Sequence, residues 1–144
     1  RSTLFPYTTL FRSRTGLREP LLGRNVICPL HPDTRIPVTS VRRVVKALIR
    51  LHEIPEDRFG HTRAMNMPAL NVTIREIAEA AAGADFPGRR GAVIWEQNDE
   101  VQGLIESWPR AVVAEEALRH GLETDESIAE ILRAFIEDYE IGPN

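Results

Sequence analysis

The pattern that most restricts this chain stands near its end. After Thr124 and Asp125, the residues Ile128, Ile131, Leu132, Phe135, Ile136 and Tyr139 recur every three or four positions. That spacing predicts an amphipathic helix over about 126–139, with acids at its start where they suit the helix dipole. Such a stripe needs other elements to pack against. With 144 residues, 42% of them hydrophobic and 27% charged, the chain has the length and balance of one globular domain. That composition excludes wholesale disorder and low-complexity arrays. A net charge of −3 argues against a nucleic-acid binder. The one cysteine, Cys28, cannot form an intrachain disulfide, which fits a reducing, cytoplasmic setting. No apolar stretch of about 18 residues exists to span a membrane.

The other elements alternate short strands with helices. Residues 25–30 (NVICPL) read as a strand, His31 to Thr34 as a turn, and 35–39 (RIPVT) as an extended segment that Pro37 confines to an edge. Ser40 is a candidate N-cap for a helix over 41–52, with Val41, Val44, Val45 and Leu48 on its apolar face. Arg42, Arg43, Lys46 and Arg50 then form its other face, expected to be solvated. A loop at 54–60 leads to a short strand at 62–67 that stops at Pro68. Thr73 and Glu76 have capping-box spacing, opening a helix over 74–82 that Gly83 ends. A loop at 84–91 precedes a strand at 92–95 (AVIW). A helix over 98–107 with Val101, Leu104 and Ile105 inward follows. Pro109 then suits the first turn of a further helix, carrying Val112, Val113, Ala117 and Leu118 and ending at Gly121.

The first residues read differently. The chain starts with Arg1, and residues 1–13 (RSTLFPYTTLFRS) resemble the translation of a sequencing-adapter oligonucleotide. They are expected to be a scar outside the fold, with residues 14–144 as the native part of a longer protein.

No complete catalytic constellation is visible. There is no glycine-rich dinucleotide fingerprint, no phosphate loop and no tyrosine followed four residues later by lysine. His31, His52, His61 and His120 are scattered, and one cysteine excludes a thiolate cluster, so no metal site is expected. Arg35, between a turn and a strand, could grip a carboxylate or phosphate bidentately, or be an ordinary surface arginine. Cys28 is expected to be a packed thiol, Trp95 and Trp108 anchors of a core or interface, and Glu96, Asp99, Glu100 and Glu106 a solvated acidic face. Asn66 and Asn71 flank a segment (MPAL) that they are expected to order.

Four segments, in order, carry a resemblance: residues 18–45 (REPLLGRNVICPLHPDTRIPVTSVRRVV), 66–81 (NMPALNVTIREIAEAA), 94–109 (IWEQNDEVQGLIESWP) and 117–138 (ALRHGLETDESIAEILRAFIED). Together they resemble the C-terminal half of an NAD-dependent epimerase/dehydratase of the extended short-chain dehydrogenase family, nearest its D-erythronate dehydrogenase-like branch. The resemblance spans residues 15–140. It implies an α/β fold: the C-terminal part of an extended Rossmann-type enzyme, mainly its smaller substrate-binding subdomain, helix-rich with short strands. It also implies that NAD and the Tyr-xxx-Lys catalytic pair belong to an N-terminal half, so that this chain alone lacks activity and tight NAD binding. Arg35 is implied to contact the substrate, a small sugar acid, with Arg18 near the cleft and Ser40 beside it. The parent enzyme is implied to be a cytoplasmic homodimer. Two departures stand out: Ala69 replaces a usual glycine, and Pro37 a frequent aromatic. The alternatives are a nucleotide-sugar epimerase/dehydratase fragment and a non-catalytic α/β binding module.

Overall fold

A computed structural model of the chain describes residues 18–59, 64–84 and 91–139. The adapter-like residues 1–13, His61 and most of the expected 84–91 loop lie outside them. A helical turn at 18–21 leads into strand β1 (Val26–Cys28) and then β2 (Arg35–Val38). Helix α1 (Val41–Glu53) follows, then a 3-10 turn at Glu56–Arg58. Next come β3 (Leu70–Thr73), α2 (Ile74–Gly83), β4 (Val93–Trp95), α3 (Asp99–Glu106), α4 (Glu115–Arg119) and α5 (Ile128–Asp138). The architecture is α/β and helix-rich, as expected.

The strands form two small sheets. β1 pairs with β4 in parallel, with Ile27 opposite Ile94. β2 pairs with β3 antiparallel, with Arg35 opposite Thr73. Pro37 sits inside β2 because a two-stranded sheet has only edges. One strand differs from expectation. Within 62–67, the described residues 64–67 join no ladder, and the strand forms beyond Pro68, at Leu70–Thr73. Met65 and Met67 instead pack against a cluster of Ala47, Ala117 and Leu122. Gly91 has a steric reason to be glycine: a Cβ there would lie 1.9 Å from the carbonyl oxygen of Arg24.

Helix α2 has the full capping box: Glu76 N–H donates to Thr73 Oγ1 at 3.1 Å, and Thr73 N–H donates to Glu76 Oε2 at 2.6 Å. Helix α4 starts later than Pro109 suggests. Residues 109–114 are not helical; Asn66 Nδ2 donates to the carbonyl of Val113. Acids at Glu115 and Glu116 open the helix. It ends as expected at Gly121, whose φ is +82°, and Leu122 N–H closes the turn on the carbonyl of Ala117. In α5 the cap is Ser127, whose Oγ accepts from Glu130 N–H at 3.2 Å. Asp125, expected at the helix start, is turned elsewhere. Ile131, Leu132 and Ala134 are buried as the stripe requires, while Tyr139 is part-exposed, its ring tilted against Phe135 at 4.9 Å. In α3, Val101 and Ile105 are buried but Leu104 is 53% exposed. Trp95 and Trp108 are exposed too, so neither anchors the core.

Helix α1 does not bury its expected apolar face. Its core contact is Ala47, with Leu51 beside it. Val41, Val44, Val45, Leu48 and Ile49 face outward. The basic face is exposed at Arg42, Lys46 and Arg50, as expected, and its arginines also meet partners in the protein. Arg42 NH2 meets Asp138 Oδ1 at 2.6 Å and Glu137 Oε2 at 2.9 Å. Arg43 meets Glu123 and approaches Glu130 and Asp125, and Arg50 Nε donates to the His120 carbonyl at 3.0 Å. Acids on the loop before α5 and on α5 itself select this face.

Candidate functional site

The site grows from the turn that precedes β2. Thr34 N–H donates to the His31 carbonyl, and Ile74 and Arg75 N–H groups donate to the carbonyls of Thr34 and Pro32. The N-terminus of α2 is thereby stitched to the turn. Gln102 on α3 holds it from the other side: His31 N–H donates to Gln102 Oε1 at 2.9 Å, and Gln102 Nε2 donates to Thr34 Oγ1 at 3.0 Å. Asp33 is paired with Arg75 at 3.1 Å. Beneath the turn lies a cluster of Cys28, Leu30, Val101 and Ile105. The thiol is packed, as expected, and burial pushes its pKa up, which makes it a poor nucleophile.

Between turn and α3 opens a cleft of about 330 Å³, lined by His31, Thr34, Arg35, Gln102, Glu106 and Arg110 among others. Arg35 begins β2 and is exposed to this cleft. Among the described residues its guanidinium makes no hydrogen bond or ion pair. Its charge acts on Glu76, held below the usual carboxylate range first by the Thr73 backbone N–H, then by the Thr73 hydroxyl, with the Arg35 charge a smaller cause. Arg110, the second cation of the cleft, is likewise unpaired among the described residues. The acids of the cleft are engaged: Asp33 by Arg75, and Glu106 by Gln102 Nε2 at 2.9 Å. Two uncommitted guanidiniums in one polar cleft can receive an anion bidentately.

The structure does not gather the three expected substrate residues. Arg35 lines the cleft. Arg18 stands exposed on the turn at 18–21 and does not line it. Ser40 is buried at 6% and committed to the fold. Its Oγ accepts from Arg43 N–H at 3.2 Å and donates to Asp125 Oδ1 at 2.6 Å, while its N–H donates to Asp125 Oδ2 at 2.8 Å. Ser40 is thus the N-cap expected of it, held by a buried carboxylate. The sequence does not single out Arg110, His31 or Gln102 as residues of this cleft. Arg110 follows Trp108-Pro109, and no local pattern marks it as facing Arg35.

No family model matches the chain. The fold is that of a section of an extended short-chain dehydrogenase or epimerase enzyme. The chain aligns with the nucleoside-diphosphate-sugar epimerase of Agrobacterium tumefaciens with a TM-score of 0.75 at 28% identity, over 88% of this chain and 37% of that one. A GalE-like L-threonine dehydrogenase from Cupriavidus necator shares the fold, with a TM-score of 0.69 at 18% identity over 86% and 39% of the two chains. In sequence the chain is similar to two D-erythronate dehydrogenases. That of Cupriavidus necator is 36% identical over 122 residues, and that of Haemophilus influenzae 23% identical over 121. These matches cover 85% and 84% of this chain but 38% of each relative, so the chain spans well under half the length of the curated relatives it matches. Among the described residues, no helix is long and apolar enough to cross a membrane.

Proposed function

We propose that residues 14–144 are the C-terminal, substrate-binding part of an NAD-dependent oxidoreductase that oxidises a hydroxyl of a small sugar acid. The observation that carries this reading is the cleft at the head of β2, where Arg35 and Arg110 are free to take an anion. It stands in a chain 36% identical to a D-erythronate dehydrogenase. A carboxylate held by Arg35 fixes the substrate's position, so its role is orientation and not bond making. Thr34 and Gln102 supply neutral hydrogen-bonding groups for hydroxyls. The described residues of this chain offer no glycine-rich cradle, so NAD, which would accept the hydride, belongs to an N-terminal half together with the base. The chain by itself is expected to turn nothing over. The complete enzyme is placed in the cytoplasm, as a homodimer.

The test is to read the source DNA upstream of residue 14 and express the longer polypeptide found there. Reduction of NAD in the presence of D-erythronate is the expected result. Arg35→Ala should raise KM at least ~10-fold with a smaller change in kcat, the mark of a lost binding contact. A longer polypeptide that reduces no NAD with any small sugar acid sinks the reading.

A second reading, a nucleotide-sugar epimerase or dehydratase, is favoured by the 28% identity to the Agrobacterium tumefaciens epimerase. In that case the two arginines would face a diphosphate. Turnover of a nucleotide sugar, with none of D-erythronate, selects it. A frame with no N-terminal half leaves a non-catalytic binding module.

A further inference from the structure

Helix α1 carries Val41, Val44, Val45, Leu48 and Ile49 on one face, each between 37% and 62% exposed. The polar residues beside and opposite this face are committed. Arg42 is held by Glu137 and Asp138, Arg50 by the His120 carbonyl, and the N-cap Ser40 by Asp125. The helix cannot roll to bury the stripe without breaking these contacts.

The stripe offers an area on the order of 400–500 Å², the size of the largest apolar patch on a typical monomer, which is often functional. A stable association between separate molecules buries about 800 Å² on each partner. The stripe alone is therefore too small to hold a second copy, but ample as one contact within a continuous core. The β1–β4 pair tells the same story. Ile27, Ile94 and Trp95 are 51%, 40% and 37% exposed, whereas parallel strands are ordinarily covered on both faces. The chain spans 38% of the length of its curated relatives, which leaves a longer stretch of polypeptide to do the covering.

We propose that the α1 stripe is an internal docking face, covered in the intact polypeptide by an apolar face of the segment that the relatives carry beyond the matched span. This rests on the reading of the chain as part of a larger enzyme. The stripe is built of valine, leucine and isoleucine with no charge within it, so its cover is itself apolar.

Cys28 is the only cysteine of the chain and is buried, so a Leu48→Cys thiol reports on the stripe alone. In the 144-residue chain, a maleimide is expected to label that thiol within a few-fold of its rate on the urea-unfolded chain. In the longer polypeptide from the source gene, labelling of the same site, located by mass spectrometry, is expected to be at least ~100-fold slower, as for a group exposed only by opening of the structure. Val44→Cys serves as the second probe if Leu48→Cys prevents folding of the longer form. Equal rates in the two forms overturn the proposal. So does protection of the short chain that grows with its concentration, because a second copy is then the cover. A source gene with no additional segment overturns both this inference and the function it rests on. An active longer enzyme with an unprotected thiol overturns the docking face and spares the function. A protected thiol in a polypeptide without activity on any sugar acid does the reverse.

Discussion

Helices α1 and α5 are bridged by Arg42, which reaches Glu137 and Asp138, yet they are held in the fold by opposite kinds of surface. α5 is held by its apolar side: Leu132 packs on Leu21, with Ala80 and Ala84 of the neighbouring segment close by. α1 is held mainly by its polar side, where guanidiniums meet acids and Ser40 meets Asp125, with Ala47 as the small apolar point of contact. An amphipathic helix therefore has two faces that can be claimed. Which one is claimed depends on what the rest of the polypeptide puts opposite it. In α5 the partner for the apolar face lies within these residues. In α1 it does not, and the acids before and along α5 hold the other side.

The contrast can be broken most forcefully at the two anchors. Leu132 is 2% exposed, and Leu132→Ala should lower stability by about 3 kcal/mol, through lost burial and the cavity left behind. Asp125 is equally buried. Asp125→Ala leaves the Ser40 N–H and hydroxyl without their acceptor and Arg43 without a buried counter-charge, which should also cost about 3 kcal/mol. Leu48→Ala, on the outward stripe, should change the stability of the 144-residue chain by less than about 0.5 kcal/mol. Urea titrations of the three variants measure this directly. A Leu48→Ala loss equal to that of Leu132→Ala would mean that α1 buries its stripe and that the two helices are alike.

A smaller effect sharpens the same comparison. Arg42 and its acids are part-exposed, with 45% of the Arg42 side chain open to solvent. Arg42→Ala should therefore lower stability only slightly, and less as salt is raised. A much larger loss, insensitive to salt, would place the hold on α1 at Arg42 and not at the buried Ser40–Asp125 contact.

What the sequence makes legible follows from how local each cause is. The capping box at Thr73 and Glu76, the stop at Gly121 and the stripe of α5 depend on residues within a turn or two of each other, and all are recovered. The strand after Pro68 and the orientation of α1 depend on partners distant in sequence: β3 forms where β2 offers a ladder, and α1 turns toward acids 80 to 96 residues away. The site divides the same way. Arg35 stands out at a turn-to-strand junction, but Arg110 and Gln102 reach the cleft only because α3 packs beside the turn at 31–34. Ser40 is legible as a cap from its local setting. Its contact with Asp125 is not legible, because 85 residues separate the two along the chain.

The mildest test concerns pH and the small helix beside the cleft. Glu76 has its pKa lowered by the Thr73 N–H and hydroxyl, with Arg35 contributing. A carboxylate with a depressed folded-state value contributes stability that is fully present above its unfolded value and is lost as pH falls through the folded one. The melting temperature of the wild-type chain should thus exceed that of Glu76→Gln near neutrality, and the gap should close on acidification below the ordinary carboxylate range. Because Arg35 stands among the causes, Arg35→Ala should move the closing point upward in pH. That shift would be read in a protein with no ligand added, so it reports the position of the guanidinium next to α2 independently of any substrate. An Arg35→Ala variant whose profile overlays the wild type would put the guanidinium away from Glu76, and the anion-receiving arrangement of the cleft would have to be redrawn with it.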